Sequence, residues 1–125
     1  MRAMKASISF LKSNEVSLEE KTLPIVKLTR SKNGLTGTAS FIFIKPNIFN
    51  SDLEILSNIS GMYLYWGIKT IKTNDIKIIF KEGQPFLIKS LFIFRNSQEW
   101  FSFLDFMTCY SQETGLLFSE KKPLS

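Results

Sequence analysis

Basic residues, hydroxyl groups and glycines lie close together in the segment KLTRSKNGLTGTASFIF, residues 27–43. Gly34 and Gly37, with a threonine on each side of the second glycine, are residue types that can cradle a phosphate group. A P-loop, however, has four residues between its glycines, a lysine after the second glycine and a helix that begins there. Here two residues separate the glycines, Thr38 takes the place of the lysine, and the sequence continues with strand-like alternation. The segment therefore does not fit a phosphate-binding loop.

Catalytic and metal-binding residue types are scarce in the chain. It contains no histidine and a single cysteine, which excludes an internal disulfide, a metal site with several cysteines and imidazole catalysis. Cys109 has no basic neighbour in its predicted helix, so we interpret it as an inert, packed thiol. Glu99 and Asp105 are six residues apart and lie on different sides of a helix, so they cannot act as a pair. We expect no catalytic residue, no metal site and no bound cofactor.

The pattern around the two glycines predicts a β-hairpin. Asn33-Gly34 is the preferred centre of a type I′ turn, in which both central residues have positive φ. This turn places Val26 opposite Phe41, and the same register sets apolar residues opposite each other along one face. We therefore predict a turn at Asn33 and Gly34, with Gly37 as a second structural glycine near it.

Four residues of this hairpin could bind a partner: Lys27, Thr29, Arg30 and Lys32. The predicted register puts Lys27 and Thr29 on the polar face. Arg30 falls opposite Gly37, at the turn end of the apolar face, where its stem can pack while its guanidinium reaches a carboxylate or a carbonyl group. Arg30 could hold the end of the hairpin or bind a partner, and both roles stay open.

A second hairpin is predicted within residues 71–95. A three-residue loop at residues 82–84 pairs Phe80 with Phe86 and puts Gly83 or its neighbour in the left-handed region. We prefer this loop to a two-residue turn, because the shorter turn would mix apolar and charged partners on each face.

The register of this second hairpin places Lys77 opposite Lys89. Like charges that face each other across two strands repel mildly, so both lysines should point to solvent or to an acidic partner. We include both among the candidates for partner binding. Apolar residues lie on both faces of the hairpin, and one helix cannot cover both. A second layer or a partner must cover the other face.

Short periodic segments predict the remaining elements. Residues 6–12 alternate as a strand with Ile8 and Phe10 on one face, residues 15–21 form a charged connection, and residues 62–66 form a short strand. A capping box, Ser51-Asp52-Leu53-Glu54, predicts a short helix over residues 51–56.

A longer helix is predicted near the C-terminal end. Ser97 is a natural cap, Glu99 lies in the first turn, where the helix dipole favours an acid, and Gly115 suits the helix end. Its predicted buried stripe consists of Trp100, Phe103, Leu104, Met107 and Tyr110. Two further aromatic residues lie partly off this stripe, so the helix carries more aromatic surface than packing on one sheet requires.

Size, hydrophobicity and charge narrow the class of protein. A chain of 125 residues with 44% hydrophobic residues can form one domain with its own core, and its apolar runs are too short to span a bilayer. The first residues contain no stretch of signal-peptide type and leave no room for a transit peptide, so we expect action in the compartment of synthesis. The net charge of +5 favours an anionic or acidic partner, although lysines that only solvate a sheet give the same pattern.

Several short motifs in one order resemble the Psb28 family of photosystem II assembly factors. They are TRS-x-x-G-x-TGTA, ISGMY, the GQP turn, the EW that opens the helix and the closing GL-x-FS, and they cover residues 29–119. Residues 1–20 match weakly, and residues 65–69 are aromatic and basic where the family has an acidic turn. The resemblance implies an α+β fold in which residues 1–125 form a single domain. A long, twisted antiparallel β-sheet built from hairpins carries a C-terminal α-helix and a short second helix, and residues 120–125 form a flexible tail.

The resemblance also implies a function. Members are non-enzymatic extrinsic factors without a cofactor, which bind the stromal or cytoplasmic face of photosystem II assembly or repair intermediates. Their partners are photosystem II core subunits, especially the inner chlorophyll-binding antenna subunit, and they are peripheral at the thylakoid membrane of a plastid or a cyanobacterium. We hypothesise that the sheet receives an extended tail of a photosystem subunit by strand addition. We expect neither nucleic acid nor a small-molecule substrate as a partner.

The alternative is a basic domain that binds single-stranded nucleic acid. Such domains stack bases on aromatic side chains that are exposed on a sheet. The candidates are Phe41, Phe43, Phe92 and Phe94, which the predicted registers assign to the core. This alternative therefore requires those rings to be exposed.

Overall fold

A computed structural model describes residues 5–12, 17–50 and 59–121 of the protein. Within these ranges the strands are β1 (Ala6–Lys12), β2 (Ser17–Glu20), β3 (Ile25–Arg30), β4 (Gly37–Ile44), β5 (Ile59–Trp66), β6 (Lys69–Thr73), β7 (Ile76–Lys81), β8 (Gln84–Phe94) and β9 (Ser119–Lys121). A 3-10 turn, Asn47–Asn50, follows β4, and the α-helix α1 spans Ser97–Thr114. No helix in the described ranges is long and apolar enough to cross a membrane.

The strands form two sheets. In the first sheet the order is β2-β1-β5-β6, and all neighbours are antiparallel. In the second sheet the order is β7-β8-β4-β3-β9, again antiparallel except that β9 runs parallel to β3. The chain crosses from the first sheet to the second twice, between β2 and β3 and again at Asn74-Asp75, between β6 and β7. The predicted α+β class is confirmed, with the strands shared between two sheets.

Side chains from both sheets and from α1 form one core. On β4, the alternation of the strand turns Phe41 and Phe43 inward, and both are fully buried. The two sheets meet where the ring centres of Phe10 and Phe43 lie 5.2 Å apart. The helix closes the core, since the ring of Phe103 lies 4.7 Å from that of Phe94. Aromatic pairs at such distances stabilise the fold beyond the area that they bury.

The first sheet agrees in part with the sequence pattern. Strand β1 has the predicted bounds, and Ile8 and Phe10 are buried on one face as expected. The prediction of a charged connection over residues 15–21 is wrong where the chain is described, because residues 17–20 form β2. Its last residue, Glu20, is buried rather than solvated. Strand β5 begins at Ile59, earlier than predicted.

The register predicted for the first hairpin is confirmed. Val26 faces Phe41, and Arg30 faces Gly37 as the last pair before the loop. Val26 and Phe41 are buried, so the apolar face of the hairpin packs into the core. The polar face points away from it.

The turn of this hairpin is not the predicted type I′ turn. Gly34 has a φ of 73°, but Asn33 does not have a positive φ. The Gly34 N–H donates to the Ser31 carbonyl at 3.0 Å, and the Ser31 N–H donates to the Thr36 carbonyl at 2.9 Å. The Asn33 side-chain oxygen accepts from the Leu35 N–H at 2.9 Å. The resulting four-residue loop has the same midpoint as the predicted turn, so the register is unchanged.

The second hairpin also has the predicted register, and again a different turn. Lys77 faces Lys89 as predicted. The loop contains Glu82 and Gly83 only, with φ of 54° and 79°, so both adopt the left-handed conformation of a two-residue hairpin turn. A bulge before Phe80 shifts the register by one residue and compensates for the shorter loop.

Two further details of this hairpin differ from the prediction. Because of the bulge, Phe80 faces Pro85 rather than Phe86. The hairpin also begins later, since residues 71–73 belong to β6 and pair with β5 in the first sheet. The second layer that the hairpin requires on its inner face is this first sheet together with α1.

The cap of helix α1 is Asn96 rather than the predicted Ser97. The Asn96 side-chain oxygen accepts the Glu99 N–H at 2.9 Å, and the Glu99 carboxylate accepts the Arg95 N–H at 2.9 Å. These reciprocal bonds satisfy two backbone donors at the start of the helix. At the other end, Gly115 has a φ of 78° and terminates the helix as predicted.

The predicted stripe of α1 is confirmed at four positions: Trp100, Phe103, Met107 and Tyr110 are buried. Leu104 is only half-buried, and Phe106 is buried instead, with its ring 5.5 Å from that of Trp66. The buried stripe is broad because the helix packs against both sheets.

Two predictions fall wholly or partly outside the described residues. The short helix predicted over residues 51–56 lies outside them. Of the segment 120–125, the first two residues belong to β9, and the other four lie outside the described residues.

Candidate functional site

Strands β3, β4, β7 and β8 turn one set of side chains into the core and the other set away from it. We call the second set the outer face; it includes the lysines Lys27, Lys77 and Lys89 and the aliphatic residues Ile25, Ile44, Ile79 and Ile93. These aliphatic side chains are between 37% and 51% exposed. In the described part of the chain the outer face therefore presents apolar groups to solvent.

The outer face is also basic. The strands β3, β4, β7 and β8 contain the basic residues Lys27, Arg30, Lys77, Lys81 and Lys89, and no Asp or Glu. Pairing brings Lys77 beside Lys89, and Ile42 lies between Lys89 and Ile25. Among the described residues no ion pair neutralises the three lysines of the outer face. A positive potential results.

Four of the predicted partner-binding residues come together on this surface: Lys27, Thr29, Lys77 and Lys89, all of them exposed. Lys32 is exposed in the loop of the first hairpin, beyond the end of β3.

Arg30 lies on the opposite side of the sheet. It is half-buried, and its guanidinium carbon lies 5.8 Å from the ring centre of Trp100, a cation–π distance. Gly37, which pairs with Arg30, has no side chain that could displace the indole. Arg30 therefore links the end of the first hairpin to α1. This contact supports a structural role for Arg30, holding the end of the hairpin, over a role in partner binding.

A groove of about 800 Å³ lies where β6, the end of β8 and the start of α1 meet. We call it the edge groove; its walls are residues 70–75, residues 91–95 and the helix residues Gln98, Glu99 and Ser102. Strand edges border it on two sides, because β6 is the last strand of the first sheet and β8 extends beyond β7 here.

The backbone of β8 faces the edge groove without a strand partner in the described part of the chain. Pairing between β7 and β8 ends at Ile76 opposite Ser90. The Leu91 N–H then donates to the Asp75 carbonyl at 3.1 Å, so Leu91 points its backbone groups toward the groove. Such groups recur at every second residue of a strand, and Ile93 therefore directs its N–H and C=O the same way. This edge can pair with an extended peptide.

Sequence reasoning missed one buried carboxylate, that of Glu20. It is 3% exposed and accepts backbone N–H groups from Asn47 at 2.7 Å, Ile48 at 2.9 Å and Thr22 at 3.0 Å. These donors satisfy the carboxylate and tie β2 to the 3-10 turn. Glu20 is therefore a structural residue.

A second buried titratable group in the described part of the chain is the phenol of Tyr110. Its burial, and secondarily the negative charges of Glu20 and Glu19, raise the pKa of Tyr110 to about 12. Such a phenol stays protonated near neutral pH and is poorly suited to proton transfer. Among the described residues no group of three or more His, Cys, Asp or Glu could hold a metal ion.

The aromatic residues that nucleic-acid binding would require are not accessible. Phe41 and Phe43 are 0% exposed, Phe92 is 3% exposed and Phe94 is 4% exposed. Rings that are packed in the core cannot stack on bases, so the alternative function lacks its stacking surface.

Comparison with known proteins gives one consistent family. The family model described as Psb28 protein matches residues 8–118. A relative from Trieres chinensis, named photosystem II reaction center Psb28 protein, is 40% identical over 117 residues, which are 94% of this chain and 98% of the relative. A relative of the same name from Trichormus variabilis is 41% identical over 82% of this chain and 91% of its own length. The chloroplastic relative from Oryza sativa subsp. japonica is 36% identical over 97% of this chain and 64% of its own length.

Proposed function

This chain belongs to the Psb28 family, and we propose that it is a non-enzymatic accessory factor of photosystem II. The names of its relatives support the association with that complex. We place the protein at the thylakoid membrane, on the stromal side in a plastid or on the cytoplasmic side in a cyanobacterium. There it binds assembly or repair intermediates, near the inner chlorophyll-binding antenna subunit.

The docking element in this proposal is the edge groove. The observation that carries it is the edge of β8, where Ile93 directs its N–H and C=O to the groove and the described residues supply no strand partner. An extended segment of a photosystem core subunit adds to this edge as a further strand. Backbone hydrogen bonds then provide the affinity, and the side chains that line the groove select the segment.

The basic residues orient the factor on its partner. Lys27, Thr29, Lys77 and Lys89 on the outer face meet anionic or carbonyl groups at the membrane face, and Lys32 adds an exposed charge at the loop of the first hairpin. Arg30, on the other side of the sheet, holds the end of this hairpin against α1. Exposed ion pairs contribute about 0–1 kcal/mol each, so the strand contacts dominate the affinity. The basic surface acts mainly on the rate and orientation of association.

A pull-down from solubilised thylakoids tests the proposed function. The tagged protein is recovered, bound chlorophyll is measured by absorbance, and subunits are identified by mass spectrometry. We expect a green complex that contains the inner antenna subunit and lacks the extrinsic subunits of the oxygen-evolving centre. A colourless eluate rich in nucleic acid would contradict the proposal.

A further inference from the structure

The outer face carries rows of aliphatic and basic side chains, which strand addition at the edge groove does not involve. Its aliphatic residues form a row in which Ile44, Leu87 and Ile79 pair across three strands. The adjacent row contains Ile25, Ile42, Lys89 and Lys77. Apolar and basic side chains thus share one surface that is four strands wide.

This surface can be contacted only through side chains. The backbone groups of β4 and β8 pair with neighbouring strands over most of their length, so a peptide that lies across the face finds no ladder to join. Any molecule that covers this face must contact branched aliphatic side chains and lysines that lie next to each other. It must also be anionic, because the four strands carry three exposed lysines on this face and contain no acid.

We propose that the outer face rests on the surface of an anionic lipid bilayer. Headgroups supply negative charge above an apolar interior, a combination that matches lysines interspersed with aliphatic side chains. The lysine stems can lie along the apolar layer while their ammonium groups reach the headgroups. The biological setting rests on the proposed function, which places the protein beside a membrane complex.

Two further observations fit contact with a bilayer. Phe80, near the end of β7, is 60% exposed and faces Pro85, on the same face as Ile79 and Leu87, so an aromatic ring extends the surface toward the second hairpin turn. Ile93 belongs to both surfaces, because its side chain lies on the outer face and its backbone borders the edge groove. A protein resting on lipid by its outer face therefore has its groove beside the bilayer, next to whatever the bilayer embeds.

Vesicle co-sedimentation of the full chain tests this inference without any photosystem. The probes are phosphatidylcholine vesicles and phosphatidylcholine vesicles that contain phosphatidylglycerol. The test variant carries Lys27→Gln, Lys77→Gln and Lys89→Gln. The control variant carries Lys5→Gln, Lys69→Gln and Lys72→Gln, which remove the same charge from exposed lysines outside the outer face.

The wild type is expected to bind the anionic vesicles and not the neutral ones. Each outer-face lysine should contribute about fivefold, so the test variant should bind about 100-fold more weakly. The control variant should bind within a few-fold of the wild type. Replacing Ile44 with Gln should also weaken binding, which charge attraction alone would not cause.

Three results would overturn the inference. The first is absence of wild-type binding to anionic vesicles, and the second is an equal loss in both lysine variants, which would mean that only net charge matters. The third is a test variant that binds vesicles normally but fails to recover the photosystem, since the outer face would then contact protein. The vesicles hold no photosystem, so the two experiments are independent. Absence of vesicle binding would not affect the proposed association with photosystem II, and a negative pull-down would not affect the vesicle result.

Discussion

Gly37 lies directly against the indole of Trp100: a Cβ placed on this glycine would come within 2.7 Å of the ring. The same Cβ would lie 2.7 Å from the Thr29 carbonyl oxygen, so neither neighbour can move away cheaply. This close approach fixes the spacing between the first hairpin and α1, and it leaves the indole face available to Arg30.

The first prediction follows from this contact. Gly37→Ala should lower the free energy of unfolding by about 2 kcal/mol, because the added methyl overpacks a rigid site. Gly83→Ala is the matched control, since nothing lies within 4 Å of its Cβ and only its φ of 79° is strained, at a cost of about 1 kcal/mol. Urea denaturation measures both. A Gly37 variant as stable as the Gly83 variant would contradict the contact.

A second prediction concerns Glu20. Glu20→Gln replaces one acceptor oxygen by an N–H₂ group that must face a backbone donor, so the free energy of unfolding should fall by about 1.5–3 kcal/mol. Glu19→Gln is the control, because Glu19 is exposed and only its ion pair with Lys21, at 3.3 Å, is lost. Its effect should stay within about 0.5 kcal/mol. Equal effects of the two variants would argue against the buried role.

A third prediction is a pH dependence. The pKa of Tyr110 is about 12 in the folded state and 10.0 in an unperturbed phenol, so folding favours the protonated form. The associated stability is complete below pH 10 and is lost as the pH rises toward 12. Tyr110→Phe cannot ionise, and its free energy of unfolding should fall less steeply over this interval. Parallel curves for the two proteins would contradict the shift.

A fourth prediction concerns nucleic acid. Because the candidate stacking rings are buried, single-stranded homopolymers should show no measurable binding at physiological salt, and any binding at low salt should disappear steeply as salt is added. Fluorescence anisotropy with labelled RNA and DNA measures this. Tight binding that persists at physiological salt would favour the alternative function.

The registers of both hairpins could be predicted from the sequence, whereas their turns could not. Register follows from apolar pairing over many residues, such as Val26 with Phe41. The turn depends on small local balances: the Asn33 side chain bonds to Leu35 and keeps Asn33 out of the left-handed region, while Glu82 adopts that region beside Gly83. The bulge before Phe80 adds one residue to β8, so the pairs beyond it are the same as for the predicted three-residue loop.

The candidate sites depend on contacts between distant residues, and this limits what the sequence can predict. The lysines of the outer face could be predicted because successive side chains of a strand point to opposite faces, and neighbouring residues are enough to show this pattern. Glu20 was missed because its donors at Asn47 and Ile48 lie 27 and 28 residues away. The edge groove was missed because it depends on the arrangement of the two sheets. The chain passes between the sheets after Thr73, and β7 therefore begins too late to pair with the end of β8.

The most direct test of the account is recovery of photosystem II by two variants of one residue. Ile93→Pro removes the N–H that faces the edge groove without removing a bond to β4, since the backbone groups of Ile93 point away from that strand. Ile93→Thr keeps this N–H while it removes similar apolar surface, and melting temperatures confirm that both variants fold.

With tagged proteins and solubilised thylakoids, the account predicts that Ile93→Thr recovers the chlorophyll-containing complex and that Ile93→Pro loses most of it. Recovery of the complex by a folded Ile93→Pro variant at the wild-type level would contradict strand addition at the edge groove.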